Sequence, residues 1–228
     1  MMRLNFQLRR QIIMRSVILQ GEKIMPNHCS NYLCVVDAMG SAVPSANCDI
    51  RELLVGLTEE VDGEPTISFQ KIRPMNEELL NTEITTSVTS DKIGMPDWYK
   101  WRLKNWGTKW DAYDGSWVGG YHTYGYHAFS TAWSPPEALI QYLAEKTGKY
   151  LLLSYLGEGF EFLGETWFSP KGKKMELSYE PYVPNANGTP GYQAGKYPER
   201  LQELFDLNEI MDSYDAMHEE ANSFWENK

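Results

Sequence analysis

Six of the eight Trp residues in this 228-residue chain lie in one stretch, between Pro96 and Pro136. Five Tyr and one Phe are interspersed among them. Large aromatic side chains are unfavourable in water, and each buries about 150–250 Å² in a fold. Any fold of this chain must therefore place the stretch in its core, on a binding surface, or partly in each.

Composition restricts the class of protein. Hydrophobic residues make up 42% of the chain and charged residues 23%, which is typical of a globular domain and excludes a disordered chain. Apolar runs such as Tyr150–Leu153 are too short to span a bilayer, so we expect no membrane segment. The three cysteines, Cys29, Cys34 and Cys48, lack zinc-site or disulfide spacing and favour a reducing cytoplasm.

Charge separates the N-terminal residues from the rest. Residues 1–24 carry five basic side chains and one acidic, whereas the whole chain has a net charge of −10. We interpret residues 1–24 as an upstream or disordered extension, because Gln20–Ile24 can be encoded by a purine-rich sequence resembling a bacterial ribosome-binding site before Met25. The acidity of the remainder argues against a general nucleic-acid coat.

Local patterns predict alternating strands and helices. Pro135–Thr147 is the clearest helix, with Ser134 as its cap, Glu137 completing a capping box and Gly148 ending it. Two further helices are predicted, Asp49–Leu57 and Asp97–Asn105. The predicted strands are Asn31–Met39, Thr66–Ile72, Tyr121–Trp133, Lys149–Leu156, Phe160–Phe168 and Lys173–Tyr182.

The order of these elements predicts an α+β fold. We expect a ferredoxin-like (split βαβ) antiparallel sheet with helices on one face, an aromatic-rich insert and a C-terminal helix. Residues 25–182 form the predicted domain, within which Asp111–Gly120 is expected to be a loop or wide hairpin. Residues 183–228 form a loop and an acidic helix, Glu199–Trp225, which we expect to pack on that domain.

Several motifs resemble those of a known family. They are Met25–Asn31, Asp97–Arg102, Asn105–Ala112, Phe129–Pro136, and a Tyr155…Glu158-Gly159…Phe162…Gly164 pattern. Together they resemble the YubB-like proteins of phages, prophages and conjugative plasmids, described as carrying a ferredoxin-like domain. The resemblance spans about residues 25–180 and implies a mobile-element protein in the bacterial cytoplasm. It implies no activity and no iron–sulfur cluster.

The aromatic stretch supplies the candidate binding residues. Aromatic faces stack bases while Lys and Arg hold phosphates, so this stretch can form a nucleotide or single-strand surface. The alternative interpretation is that the Trp side chains pack against the sheet and the basic residues are a solvated helix face, because large aromatics are more often core than site. The candidates are Trp101, Arg102, Trp106, Lys109, Trp110, Tyr121 and Trp133.

The sequence gives no support for catalysis. His122 and His127 are five apart on a predicted strand and so face opposite sides, which disfavours joint metal binding. Asp111 with Asp114 can form an acid pair, and Glu158, Glu161 and Glu165 another, although we expect Glu161 and Glu165 on a solvent-facing side. No phosphate-binding loop or nucleophile elbow is present. We therefore expect no catalytic residue, no metal site and no cofactor.

These observations favour a binding role over an enzymatic one. We expect a cytoplasmic accessory protein of a phage or plasmid that engages a host protein, with counter-defence as the suggested role. The alternative is a nucleotide or nucleic-acid module that uses residues 98–110. The acidic C-terminal helix is an ordinary amphipathic helix with a solvated acidic face, a dock for a basic partner, or a mimic of nucleic-acid phosphates that engages a DNA-handling host enzyme. The sequence leaves the oligomeric state open.

Overall fold

A computed structural model describes the chain over residues 27–80, 97–119, 125–158, 162–179, 183–184, 190–191 and 197–207. The expectation for residues 1–24, the candidate Tyr121 and most of the C-terminal helix lie outside these residues. No helix in the described part of the chain is long and apolar enough to cross a membrane.

The described chain forms ten strands and six helices. The strands are β1 (His28–Val36), β2 (Thr58–Val61), β3 (Glu64–Ile67), β4 (Tyr113–Val118), β5 (Tyr126–Ala132), β6 (Tyr150–Gly157), β7 (Leu163–Phe168), β8 (Lys174–Tyr179), β9 (Val183–Pro184) and β10 (Pro190–Gly191). The helices are α1 (Ile50–Leu53), α2 (Phe69–Ile72), α3 (Glu77–Leu80), α4 (Trp98–Asn105), α5 (Glu137–Thr147) and α6 (Glu199–Phe205).

Six strands form one antiparallel sheet in the order β4-β5-β1-β6-β7-β8. The segment β4-β5-β1-β6 has the strand order of a ferredoxin-like fold, because β1 lies between two strands that run parallel to each other. Helix α5 connects those two strands, β5 and β6, and so completes a split βαβ unit. The predicted fold class is confirmed, and β7 and β8 extend the sheet beyond it.

Strand β1 is central and is buried on both faces. Leu33 and Val35 point to the side that carries α2 and α5, where the main core includes Phe69, Trp106, Phe129, Leu139 and Ile140. Tyr32 and Cys34 point to the opposite face. Apolar residues are therefore needed at successive positions, as expected for a strand covered on both sides.

One predicted strand in the first half is wrong, and one segment left open between two alternatives is decided. Thr66–Ile72 is not one strand, because the chain turns at Ser68, whose hydroxyl accepts from the Lys71 N–H and caps α2. Phe69 and Ile72 are then buried on one side of a helical turn. Of the two alternatives predicted for Asp111–Gly120, a loop or a wide hairpin, the structure has the hairpin, because most of the segment forms β4, which pairs antiparallel with β5 with a register shift between Tyr113 and Ser116.

The predicted capping box is also wrong. Helix α5 begins at Glu137 with no side-chain cap, and Ser134 instead donates to the Gly107 carbonyl at 2.8 Å. The Glu137 carboxylate accepts from the Thr166 hydroxyl at 2.7 Å. The Ser134 hydroxyl and the Glu137 carboxylate therefore bond to distant residues and not to the backbone N–H groups at the start of the helix. Gly148 does end the helix, with a left-handed φ of 70°.

Helix α6 packs on the sheet face opposite α5. Its Leu201 and Phe205 join Tyr32, Leu156 and Leu163 in a second core. Beside them the Arg200 guanidinium pairs with the Glu165 carboxylate, which is 2% exposed and also accepts from the Ser154 hydroxyl. The expectation that Glu165 faces solvent is wrong, because β7 is buried on both faces.

His127 is fully buried and joins two parts of the fold. Its Nε2 accepts from the Ile67 N–H at 3.0 Å, which ties the β2–β3 hairpin to β5. The ring stacks on Phe129. Burial lowers the pKa of His127 to about 4, so the imidazole is neutral at pH 7.

His127 predicts an acid-side loss of stability. Its folded pKa of about 4 lies below the unfolded value of 6.5, so between these values the unfolded chain binds the extra proton. The free energy of unfolding should fall by about 3 kcal/mol as pH drops through this window. His127→Gln retains an acceptor for Ile67 and should lack this fall. Urea unfolding of both proteins at several pH values measures the difference, and equal slopes would contradict the assignment.

The buried ion pair predicts an asymmetric response to mutation. Arg200→Met leaves the Glu165 carboxylate buried without its cation and should lower the free energy of unfolding by about 3–5 kcal/mol. Adding Glu165→Met should recover most of the loss, because no buried charge remains. Arg51→Met, which removes an exposed pair with Asp49, is the control and should have little effect. Urea denaturation of the four proteins tests this.

Candidate functional site

The turn after α4 begins with a core residue. Trp106 is 1% exposed, and its indole N–H donates to the Arg73 carbonyl at 3.0 Å. Its ring meets Phe69 and the partly buried Trp101 edge-on, each at 5.8 Å between centroids. Of the candidates from the sequence, Trp106 therefore lies in the main core, and Trp101 packs against that core from α4.

The next residues fasten the turn to β5 and α5. Gly107 has φ +88°, and a Cβ there would lie 3.2 Å from the Glu137 backbone nitrogen, so both conformation and space require Gly. The Thr108 hydroxyl donates to the Ala132 carbonyl at 2.8 Å. The turn is therefore held by the strand end and helix start that it contacts.

Asp111 secures the far end of the turn. Its carboxylate accepts from the backbone N–H groups of Phe69 at 2.6 Å and Gln70 at 3.2 Å, at the start of α2. Burial raises the pKa of Asp111, although these N–H groups oppose the shift. These contacts give Asp111 a structural task and remove it from the predicted acid pair with Asp114.

Arg102 braces the turn from inside. Its guanidinium carbon lies 5.1 Å from the Trp98 ring centroid and 4.9 Å from that of Trp106. One terminal nitrogen donates to the Lys109 carbonyl at 3.3 Å. Burial lowers the pKa of Arg102, and the charge of Asp111 opposes this shift. Arg102 therefore holds the backbone of Lys109, whose half-buried side chain makes other contacts.

Three residues remain that these structural contacts do not explain, and we call them the aromatic-cation patch: Lys109, Trp110 and Trp133. The Lys109 ammonium lies 4.7 Å from the Trp110 ring centroid and 4.9 Å from the Trp133 centroid. Trp133 is 44% exposed. Two indoles and a cation are thus held together at the surface.

The backbone of Trp133 is strained. Its φ is +69°, a left-handed conformation that costs about 1–2 kcal/mol for a residue with a side chain. The Trp133 N–H donates to the Asn27 carbonyl at 2.9 Å, which helps to hold this conformation. Strain of this kind clusters at functional sites. Here it directs a large apolar side chain towards water.

A polar cluster at the start of β1 lies beside the patch. The Tyr113 hydroxyl and the His28 ring Nδ1 are 2.7 Å apart. The Glu158 carboxylate accepts from the backbone N–H of His28 at 2.8 Å. Burial raises the pKa of Tyr113, so its phenol stays protonated. Sequence reasoning missed the His28–Tyr113 pair because the residues are 85 positions apart and belong to no local motif.

Four of the sequence motifs meet at this edge of the sheet. The starts of β1 and β4, the ends of β5 and β6, and the turn after α4 all converge there. The motifs concerned are Met25–Asn31, Asn105–Ala112, Phe129–Pro136 and Tyr155–Glu158, as far as they are described. Among the described residues, no group of three or more His, Cys, Asp or Glu side chains is placed to hold a metal ion.

A match to a family model supports the fold assignment. Residues 105–188 match the family model described as the ferredoxin-like domain in Api92-like protein. No curated protein matches the chain. The crystal structure of the protein api92 from Yersinia pseudotuberculosis is similar over 62% of this chain at 14% identity, with a TM-score of 0.39. The aligned part spans 49% of that chain, about half its length.

Removing the buried Trp106 and the exposed Trp133 should change the free energy of unfolding by different amounts. Trp106→Ala deletes a fully buried indole and should lower the free energy of unfolding by about 3–5 kcal/mol. Trp133→Gly relieves the left-handed strain and loses mainly the contact with Lys109, so the change should stay within about 1 kcal/mol. Urea denaturation measures both, and a large loss for Trp133→Gly would show that its side chain stabilises the fold.

Proposed function

We propose that this chain is a binding protein that engages another protein through the aromatic-cation patch. The observation that carries the proposal is Trp133, which is exposed and held in a left-handed conformation that favours glycine. That conformation costs the fold about 1–2 kcal/mol. Trp is among the residues most enriched in interface hot spots, where it fills a pocket of the partner.

The surroundings of the patch favour a protein over a nucleotide. The Lys109 ammonium already lies over both Trp110 and Trp133, so a stacked base has to displace it. The carboxylates of Asp114 and Glu158 flank the nearby polar cluster, and the chain has a net charge of −10. These negative charges oppose the approach of phosphates. A partner with a pocket for an indole and an acidic group for Lys109 meets neither obstacle.

The nature of the partner follows from the sequence resemblance. The YubB-like motifs and the mobile-element origin that they imply support a host protein in the bacterial cytoplasm as the target. Interference with a host defence is the role most consistent with a binding protein of a phage or plasmid. The family model matched by residues 105–188 is compatible with this role and assigns no activity.

One observation favours a second candidate function. Lys109 lies at the same turn as two indoles, and a cation with aromatic faces is the set of groups that binds a base and its phosphate. If Lys109 moves off the rings, the patch becomes a nucleotide-binding or single-strand surface. This alternative predicts a small ligand mass or a bound oligonucleotide in place of a protein.

Native mass spectrometry of protein gently purified from bacterial cells tests the proposal. We expect a protein-sized addition to the wild-type mass, and its loss in Trp133→Ala and Lys109→Ala. The matched controls are Leu103→Ala, which removes another exposed apolar side chain, and Lys104→Ala, which removes a nearby cation that is exposed. Both controls should keep the partner.

The remaining outcomes separate the candidates. A nucleotide-sized addition that Lys109→Ala removes would support the alternative function. A protein partner that survives Trp133→Ala and Lys109→Ala would place the interface elsewhere and contradict the proposal for the patch. Thermal melting of every variant shows that each protein is folded before its binding is compared.

A further inference from the structure

The outermost strand of the sheet, β8, is unusually exposed. Its neighbour β7 is buried at every position, whereas five of the six β8 side chains are exposed and the last, Tyr179, is half-buried. The exposed apolar residues include Met175, at 36%, and Leu177, at 46%. In the described sheet, β8 pairs on one side only, with β7. A strand with so little burial has backbone groups available for another strand.

The hairpin between β7 and β8 determines which backbone groups point outward. The Ser169 N–H donates to the Lys173 carbonyl at 2.8 Å, and the pairing then runs without a shift from Phe168–Lys174 to Leu163–Tyr179. In an antiparallel pair, hydrogen-bonded positions alternate along each strand. Met175, Leu177 and Tyr179 therefore bond to β7. The backbone groups that point to the free edge belong to Lys174, Glu176 and Ser178.

We propose that two copies of this chain pair antiparallel through β8, with Leu177 opposite Leu177 of the second copy. The outward groups belong to even-numbered residues, so in a two-fold symmetric ladder the numbers of two paired residues add up to an even number. The symmetry axis must therefore pass between one residue of the strand and the same residue of the second copy. Centring on Glu176 would set two carboxylates directly opposite each other, which is destabilising. Centring on Leu177 avoids this and uses the strand from Met175 to Tyr179.

The chosen register gives matched side chains on both faces. On the face opposite α5, Leu177 meets its own copy, and Met175 meets Tyr179 of the second copy. On the other face, Glu176 meets Ser178 of the second copy, a pair that can hydrogen-bond. Cross-strand pairs of this kind stabilise antiparallel sheets. The apolar strip that β8 leaves in water becomes continuous across the two copies.

The charges of β8 do not oppose this pairing. The Lys174 ammonium lies 2.5 Å from the Glu137 carboxylate and 3.2 Å from that of Glu176. Both charged side chains are therefore engaged on the α5 face. The apolar strip lies on the opposite face, where a second copy meets no unpaired charge from these residues. The partner that fits this edge is a second copy of the same strand.

Light scattering after size exclusion measures the assembly directly. The wild-type chain has a mass of 26.3 kDa, and we expect twice this mass across a dilution series, with dissociation at the lowest concentrations. Leu177→Lys places a charge opposite its own copy and should give a monomer. Val55→Lys, at a side chain that is 78% exposed in the turn after α1, is the matched control and should remain a dimer. A monomeric wild-type protein, or a dimer that survives Leu177→Lys, would overturn the proposal.

Cysteine cross-linking tests the register. Leu177→Cys sets two thiols opposite each other at a position where side chains approach closely, so a mild oxidant should link the copies by a disulfide. Met175→Cys lies opposite Tyr179 and should not link to itself. Wild-type protein controls for Cys29, Cys34 and Cys48. Linking of Met175→Cys as readily as Leu177→Cys would refute this register.

Discussion

The fold depends on the pairing of β1 with two strands that come much later in the chain. Asn31 pairs with Phe129 on one side and with Tyr155 on the other. These pairings set the order of the sheet, and they bring the starts of β1 and β4 to the edge where β5 and β6 end. Because β1 is buried on both faces, a shift of one residue would exchange Leu33 and Val35 with Tyr32 and Cys34 between two different cores. The register is therefore strongly determined, and the candidate site depends on it.

The sequence predicted elements whose signals are local and missed those decided by distant partners. The helix ended by Gly148 and the strands β1, β5, β6, β7 and β8 follow from periodicity and turn residues. The capping box at Ser134 failed because the Gly107 carbonyl and the Thr166 hydroxyl take its two polar groups. The solvent-facing assignment of Glu165 failed because α6 brings Arg200 onto that face. The sequence of one β-strand does not show which other element will pack on each of its faces.

The same distinction applies within the candidate site. The aromatic stretch was identified from its composition, but composition could not divide its residues between packing and surface. The structure makes that division, because Trp106, Arg102 and Asp111 each have identified internal contacts. Lys109 is half-buried and lies against Trp133, whose side chain is exposed. The strain at Trp133 depends on tertiary structure and has no sequence signature, since an aromatic residue ending a strand is ordinary.

The two proposed surfaces lie on different parts of the sheet and can act together. The aromatic-cation patch adjoins the ends of β1 and β5, whereas β8 is three strands away from β1 in the sheet order. Pairing through β8 therefore leaves Lys109 and Trp133 accessible in both copies. A symmetric pair presents the patch twice, so a partner that is itself an oligomer is held at two points. The second contact then forms at a high effective concentration, and modest affinity at each patch is sufficient for stable capture.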